Sequence, residues 1–238
     1  MQIERILHSQ GFGSRKVCRN LIHAGRVSID GRVLKNPAAD FAPAGLDFAV
    51  DGKTWRYREK VFLMLHKPAG YECSHQTQFH SPVFALLPEA LANRGVQCIG
   101  RLDQDTTGLL LLSDDGQFIH VWSSGKKRVP KVYDVTTRHP VDDALIASLL
   151  TGVQLHDEPA PIAAAACRQT GERSLSLTIT EGKYHQVKRM IAAAGNRVEA
   201  LHRSRIGGLS LPDDLACGTW RWLEEADLAQ LAAFADIA

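Results

Sequence analysis

A loop carrying two carboxylates runs directly into an apolar strand, and this junction constrains the fold more than any other stretch. Leu109–Leu112 is an unbroken apolar run, bounded by Gly108 and by the turn residues Ser113–Gly116. A run of this length between turn residues predicts a buried strand. Asp103 and Asp105 lie on the preceding loop, and loops held by a rigid scaffold often carry catalytic residues. Because such carboxylates also cap turns, spacing alone leaves both interpretations open.

Composition excludes several classes of protein. The 238 residues, 45% of them hydrophobic, suffice for one large domain or two smaller ones with an apolar core. No stretch approaches the roughly 18 apolar residues of a membrane span, and we expect no signal peptide from the N-terminal pattern. Five scattered cysteines without a CxxC pair indicate free thiols, so we expect a cytoplasmic protein without a disulfide framework or a cysteine zinc site.

Positive charge is concentrated near the N-terminus. Residues 1–58 contain 10 Lys and Arg against 5 Asp and Glu, whereas the whole chain has a net charge of only +2. This asymmetry favours contact with a polyanion, although a solvated helix face is the alternative. Four basic residues lie on one predicted helix and just beyond the glycine turn that follows it: Arg15, Lys16, Arg19 and Arg26. Such a surface suits phosphate contacts.

The N-terminal segment also has a recognisable pattern of elements. Ser14 is a plausible N-cap for a second short helix, and the alternation of Val27–Val33 around Asp30-Gly31 predicts a β-hairpin. The segment SRKVCRNLIHAGRVSIDGRV, with DFAVDG further on, resembles an S4 RNA-binding domain over about fifty residues. The resemblance implies a small helix–helix–hairpin module that docks structured RNA through its basic helix.

Four later stretches resemble the pseudouridine synthases of the small-subunit ribosomal RNA type, the RsuA family. They are the loop Gly100-Arg101-Leu102-Asp103, the loop Lys67-Pro68-x-Gly70, the strand Lys131-x-Tyr133, and the helix start around Gln186-Val187-Lys188, which Leu201-x-Arg203 follows. In that family the Asp after Arg-Leu is the catalytic carboxylate, which is Asp103 here. The resemblance further implies that Tyr133 lies against the target base and that Lys188 pairs with Asp103. Because many relatives carry Arg where this chain has Lys188, Arg189 is the alternative partner.

The resemblance also implies a wider set of site residues. Five are expected to bind the substrate: Arg101, Lys67, Lys131, Arg189 and Leu201. Four are expected to bind RNA outside the site: Arg15, Lys16, Arg19 and Arg26. Without the resemblance, Tyr133 is a half-buried strand aromatic and the basic residues form solvated surfaces.

One segment departs from the family pattern. After Gly70 the family usually has Thr or Ser and an acidic stretch, but this chain has Cys73 followed by His75 and His80. These three side chains could be imagined as metal ligands, yet a closed zinc site needs four and no fourth is evident. We therefore expect no metal and no cofactor.

These observations together predict an α+β protein with two parts. Residues 1–58 are expected to be an S4 domain, and residues 59–238 a catalytic domain with a mixed, mostly antiparallel sheet. The expected activity is conversion of uridine to pseudouridine in small-subunit (16S) ribosomal RNA, at a site of the uridine 516 type, free or in an assembling particle, by a monomer without membrane association. Synthesis in large-subunit RNA, a non-catalytic S4 assembly factor and a carboxylate-dependent nucleoside hydrolase are the alternatives.

Overall fold

Two helices and a small antiparallel sheet form the N-terminal part of the protein. The computed structural model describes residues 1–234, except for the side chain of Lys126. The predicted N-cap is confirmed, since Ser14 Oγ accepts a hydrogen bond from the Val17 N–H at 3.4 Å. The hairpin is also confirmed, and Asp30 and Gly31 both have positive φ, as its tight turn requires. The elements are α1 (Ile3–Ser9), α2 (Arg15–His23), β1 (Val27–Ile29), β2 (Arg32–Val33), β3 (Asp47–Val50) and β4 (Lys53–Arg56), with strand order β2-β1-β3-β4.

A larger mixed sheet with helices packed around it follows. Its strands within the described range are β5 (Phe62–Lys67), β8 (Gln97–Ile99), β9 (Thr107–Ser113), β10 (Lys131–Thr137), β11 (Ala166–Gly171), β12 (Ser174–Ile179), β13 (Val198–Ile206), β14 (Leu209–Ser210) and β15 (Trp220–Trp222). The other elements are β6 (Tyr71–Glu72), β7 (Ser81–Pro82), α3 (Glu89–Ala92), α4 (Gly116–Ser123), α5 (Asp143–Thr151), α6 (Gln186–Ala193), α7 (Glu225–Ala232), and 3-10 turns at Val83–Leu86 and Gly125–Lys127. Strand order is β11-β12-β10-β13-β9-β5-β15, with β8 on β9 and β14 on β13. Only β9 and β13 pair in parallel among these strands, which confirms the expected α+β class.

The apolar run that dominates the sequence is the centre of this sheet. Along β9, Leu110 and Leu112 belong to the core on one face, whereas Leu109 and Leu111 belong to the core on the other. All four leucines are 0% exposed. A strand covered on both faces has no solvent side, so its sequence reads as a continuous apolar run instead of alternating.

Strands β9 and β13 approach closely where the loop with Asp103 enters the sheet. Gly108 has φ +108°, and a Cβ at this position would lie 2.3 Å from the backbone oxygen of Arg203. The glycine is therefore required both by its backbone conformation and by the space available. This contact brings the start of β9 beside the middle of β13.

The N-terminal sheet has its own apolar core and joins the rest of the molecule through polar contacts. Arg94 is the centre of this joint, because its guanidinium binds Asp114 at 2.7 Å, Gln10 Oε1 at 3.1 Å and the Arg58 carbonyl at 2.7 Å. Arg58 in turn pairs with Glu224 at 2.7 Å. Within the described range, no helix has the length and apolar character needed to span a membrane.

Candidate active site

A cavity of about 170 Å³ opens beside helix α6, near the ends of β8, β9, β10 and β13. It is lined by six of the eight catalytic and substrate-binding residues expected from the sequence: Arg101, Asp103, Lys131, Tyr133, Lys188 and Leu201. These residues are spread over a hundred positions of the chain, and only the pairing of β10 and β13 with the rest of the sheet brings them together. Lys67, Arg189 and the four cations of the N-terminal segment do not line it.

The loop that carries Asp103 is built around a wholly buried lysine. Lys67, the last residue of β5, has 0% exposure. Its ammonium donates hydrogen bonds to the carbonyl oxygens of Pro68, Asp103, Gln104 and Thr106, at 3.0, 3.0, 3.2 and 2.9 Å respectively. Burial lowers the pKa of Lys67, and the carbonyl oxygens take the place of water around its charge. The expected contact of Lys67 with substrate is therefore corrected: the ammonium has no exposed surface and holds the loop.

Lys188 lies in the first turn of α6 and serves two carboxylates. Its Nζ is 3.0 Å from Asp103 Oδ2 and 2.6 Å from Asp105 Oδ1. Partial burial acts to lower the pKa of Lys188, but the hydrogen bonds to both carboxylates outweigh it and raise the pKa above its usual value. Partial burial likewise acts to raise the pKa of Asp105, and Lys188 reverses this effect, so the pKa is lowered.

Arg189 takes no part in these contacts. Its guanidinium lies 3.5 Å from Asp157 Oδ2 and donates a hydrogen bond to the Tyr184 carbonyl at 3.2 Å. The two residues are neighbours on a helix, so their side chains point in different directions. Of the two basic residues that the sequence left open, Lys188 is the one in contact with Asp103.

A histidine that the sequence analysis gave no role makes a further contact with Asp103. His185 Nε2 lies 3.2 Å from Asp103 Oδ1. His185 has the left-handed φ of +47°, which is uncommon for a residue other than glycine and is often found at functional sites. The signal was its place directly before Gln186 at the start of α6. With Lys188, His185 holds the Asp103 carboxylate from both of its oxygens.

Two neighbouring strands supply the inner wall of the cavity. Lys131 and Tyr133 are two residues apart on β10, so they share one face, as Leu201 and Arg203 do on β13. Tyr133 pairs directly with Arg203 across the two strands and is 7% exposed. Burial, followed by the nearby charge of Arg203, lowers the pKa of Lys131 to about 8. The wall therefore combines an aromatic ring, an aliphatic side chain and two cations.

Arg203 is the second residue whose role sequence analysis missed. It is 2% exposed, and its Nε donates a hydrogen bond to the Leu109 carbonyl at 2.8 Å. Its Nη1 donates to the Tyr133 hydroxyl at 3.4 Å, while Nη2 has no hydrogen-bond partner in the described part of the chain. A buried guanidinium with a free donor is costly. The signal was its place two residues after Leu201, on the same face of the strand.

The N-terminal cations fall into two groups. Arg19 binds Glu4 at 3.1 Å, and Arg26 binds Asp51 at 2.5 Å. Arg15 and Lys16 are exposed and make no ion pair with any residue between 1 and 234. These two are therefore the cations of this set that are available to phosphates.

The segment that departs from the family pattern packs beside the loop that carries Asp103. Cys73 Sγ accepts a hydrogen bond from the Leu102 N–H at 3.5 Å, and His75 stacks on Phe84 with ring centroids 3.8 Å apart. No group of three or more His, Cys, Asp or Glu in the described residues is arranged to hold a metal ion.

Comparison with known proteins finds two family models in the chain. The model of the RNA pseudouridylate synthase family matches residues 61–193, and the S4 domain model matches residues 1–40. The match to the pseudouridylate synthase model covers more than half of the chain and includes the loop with Asp103 and helix α6.

Similar proteins match over nearly the full length. The chain is 40% identical to the ribosomal small subunit pseudouridine synthase A of Yersinia pestis, covering 98% of this chain and 99% of that protein. It is also 40% identical to the protein of the same name from Escherichia coli K12, over 97% and 100% of the two chains. A crystal structure of a pseudouridylate synthase matches with a TM-score of 0.69 and 32% identity, over 97% of this chain and 99% of that one.

Proposed function

The chain belongs to the RNA pseudouridylate synthase family, and from that premise we propose that it converts a uridine of small-subunit ribosomal RNA to pseudouridine. As a member of the family it is a pseudouridine synthase. The choice of small-subunit RNA is supported by the names of the relatives that match it end to end. We extend the proposal to a site of the uridine 516 type, reached in the cytoplasm by a monomer, with residues 1–58 as the S4 domain and 59–238 as the catalytic domain.

One observation carries the assignment of Asp103 as the nucleophile. Its side chain is 27% exposed at the cavity, with Lys188 on one oxygen and His185 on the other. A side-chain carboxylate is a nucleophile that can form a covalent intermediate, and the Lys188 ammonium holds this one from 3.0 Å. The same contacts restrict the rotation of the carboxylate, so the attacking oxygen is held in place.

The net reaction exchanges the N1–C1′ bond of uridine for a C5–C1′ bond. Asp103 attacks the target nucleotide at the ribose C1′ or at the base, and the bond between N1 and C1′ breaks. The detached uracil turns within the cavity and its C5 forms the new bond to C1′; the bond to Asp103 breaks again, so the free carboxylate is restored. The proton on C5 leaves and N1 gains one, so substrate and product have the same composition.

The cavity wall suits the detached base. Tyr133 and Leu201 offer an aromatic and an aliphatic surface to a planar ring. The Tyr133 hydroxyl, which Arg203 holds by a hydrogen bond at 3.4 Å, is a candidate acceptor for the C5 proton. Arg101, which also lines the cavity, is a candidate contact for the backbone phosphate of the target. The target must leave its stack to reach Asp103, as in other enzymes that act on a base.

The test is pseudouridine mapping across ribosomal RNA incubated with the protein. The wild type should form pseudouridine in small-subunit RNA, and Asp103→Asn should bind this RNA but form no detectable product. Asp105→Asn is the matched control, because it removes the other carboxylate on Lys188 and should reduce the rate less. Residual activity of Asp103→Asn within about tenfold of the wild type would contradict the nucleophile, since covalent catalysis requires the anion. Product only in large-subunit RNA would contradict the substrate.

A further inference from the structure

A second hollow lies directly beside the catalytic cavity. Its volume is about 400 Å³, and it shares a wall with the cavity, formed by Gly100–Asp103 and by Gly182, Lys183 and His185. Its opposite side is formed by Glu72–Ser74. Asp103 faces both hollows, so an RNA strand whose target nucleotide occupies the cavity has a neighbouring nucleotide near the second hollow.

Tyr184 stands at this second hollow as an open aromatic surface. Tyr184 is 71% exposed and lines the second hollow. Its ring stacks on the His185 ring, with the two centroids 3.8 Å apart and the two planes at 20°. The left-handed backbone of His185 and the hydrogen bond from Arg189 to the Tyr184 carbonyl hold this turn. With one face on His185, the ring presents its other face to solvent.

Exposed aromatic rings are rare in this protein and lie near the same hollow. Among residues 1–234, only Phe79 and Tyr184 are exposed aromatics. Glu72, which lines the second hollow, accepts backbone hydrogen bonds from Gln78, Phe79 and His80 at 3.0–3.2 Å and so fixes that loop. Large apolar groups left in water on an ordered surface are informative, because burying them on a partner is favourable.

Arg101 supplies a charge of the sign that RNA requires. It lines both hollows, is exposed, and forms no ion pair in the part of the chain that the structure describes. A guanidinium between two adjoining hollows suits the phosphate that links two consecutive nucleotides. An aromatic face next to it suits a base, because every base can stack on a ring.

We propose that the second hollow binds an unpaired nucleotide adjacent to the target uridine, with its base stacked on Tyr184 and the linking phosphate at Arg101. This inference rests on the proposed function, since it places the target in the cavity. An RNA nucleotide is favoured as the occupant over a protein segment because the hollow continues the catalytic cavity and carries an unpaired cation. Tyr184 is thus a binding residue, and the second hollow contributes to the choice of target.

The test uses a fragment of small-subunit RNA in which the product position has been mapped with the wild type. Three forms are compared: the natural RNA, and RNAs with an abasic nucleotide on either side of the target. Dissociation constants and single-turnover rates at saturating RNA are measured for the wild type, Tyr184→Ala and Tyr184→Phe. Leu150→Ala removes another exposed apolar side chain, outside both hollows, and serves as the matched control.

Stacking on one ring predicts a specific pattern. Tyr184→Ala should raise the dissociation constant of natural RNA about tenfold, while Tyr184→Phe and Leu150→Ala should bind within about twofold of the wild type. One abasic RNA should bind the wild type more weakly by a similar factor, and Tyr184→Ala should add no further loss with it. The rate at saturation should change little, because the base contact forms away from the reacting atoms.

Other outcomes overturn the inference. If Tyr184→Ala binds natural RNA as tightly as the wild type does, no base stacks on Tyr184. The same conclusion follows if the weakening by Tyr184→Ala adds in full to the weakening by each of the two abasic RNAs. A fall in the saturated rate without a change in binding would instead make Tyr184 a support for His185 and Asp103. If the wild type forms no pseudouridine in any RNA, the proposed function is wrong and the inference that rests on it is also wrong. If pseudouridine forms, the binding results test only whether the second hollow binds the adjacent nucleotide.

Discussion

The cations of the N-terminal segment and those of the catalytic region have opposite environments. Arg15 and Lys16 lie on the exposed side of α2, in water and without ion pairs in the described chain. Lys67 and Arg203 are 0% and 2% exposed, and they donate hydrogen bonds to backbone carbonyl oxygens and to a tyrosine hydroxyl, with only Arg203 Nη2 left without a partner among the described residues. The same two types of residue therefore serve to attract a polyanion in one region and to fix the shape of a cavity in the other.

This contrast indicates what each region would lose if a cation were removed: RNA affinity in the N-terminal segment, and folding stability around the cavity. Exposed cations contribute affinity that depends on salt and contribute little to the free energy of folding. Buried cations are part of the fold, since removing one leaves its hydrogen-bond partners unsatisfied. The following changes test that distinction, beginning with the largest expected effect.

Lys67→Met should be the most damaging change. It leaves up to four inward carbonyl oxygens without a donor. We therefore expect the free energy of unfolding to fall by about 3 kcal/mol and most of the activity to be lost. Urea unfolding and the pseudouridine assay measure the two effects. Lys60→Met, just before the same strand, is the control and should cost much less stability, because the Lys60 side chain is 47% exposed to water. Equal stability of the two variants would remove the contrast between buried and exposed lysines.

Lys188→Met should reduce the reaction rate with little effect on stability. Asp103 and Asp105 lose the cation that they share, so the carboxylate is misplaced and the rate should fall roughly a hundredfold. The rate is measured in single turnover at saturating RNA, and urea unfolding measures the stability.

Two variants sharpen this result. Lys188→Arg keeps the charge and should lose less activity. Arg189→Met is the neighbouring control and should leave the rate nearly unchanged, since Arg189 contacts Asp157. A large loss of rate with Arg189→Met and none with Lys188→Met would reverse the assignment.

Replacing Arg15 and Lys16 with Gln together should weaken RNA binding but not catalysis. The loss of two phosphate contacts should lower the slope of log K against log salt by about 2, while the rate at saturating RNA stays the same. Arg26→Gln is the comparison and should change the slope by less than 1, because Arg26 is already paired with Asp51. An unchanged slope in the double variant would make this helix face merely solvated.

Lys131→Met should give the smallest effect, visible as a pH dependence of stability. The pKa of Lys131 is lowered to about 8 on folding, so between about pH 8 and 10.5 the unfolded chain holds a proton that the folded chain has lost. Stability of the wild type therefore gains from this group as pH rises through that window. Lys131→Met lacks the group and should be more stable than the wild type by about 1 kcal/mol at pH 7, with the difference shrinking by pH 10.

The control for this change is Lys131→Arg, which keeps a charge over the whole range and should not converge with Lys131→Met at pH 10. Urea unfolding at both pH values measures the differences. A constant difference between the wild type and Lys131→Met at pH 7 and pH 10 would mean that Lys131 has its ordinary pKa in the folded protein.

Local pattern in the sequence was enough to predict several elements of the fold, and the resemblance of the motifs predicted part of the site. The cap at Ser14, the hairpin around Asp30-Gly31 and the buried strand after Gly108 each depend on residues close together in the chain. Such signals are readable because turn geometry and burial on both faces restrict residue type directly. The resemblance of the motifs added Asp103, Tyr133 and Lys188, which the structure brings to one cavity.

The direction of each side chain was decided only by tertiary structure. The sequence could not tell that Lys67 turns inward under the loop, that Lys188 and not Arg189 faces Asp103, or that Arg203 lies beneath Tyr133. These facts depend on strand register and on how α6 packs against the sheet, which join residues up to 95 positions apart. A lysine or arginine has the same local signature whether it meets water or a carbonyl oxygen, because its long side chain can do either; the packing around it makes the choice.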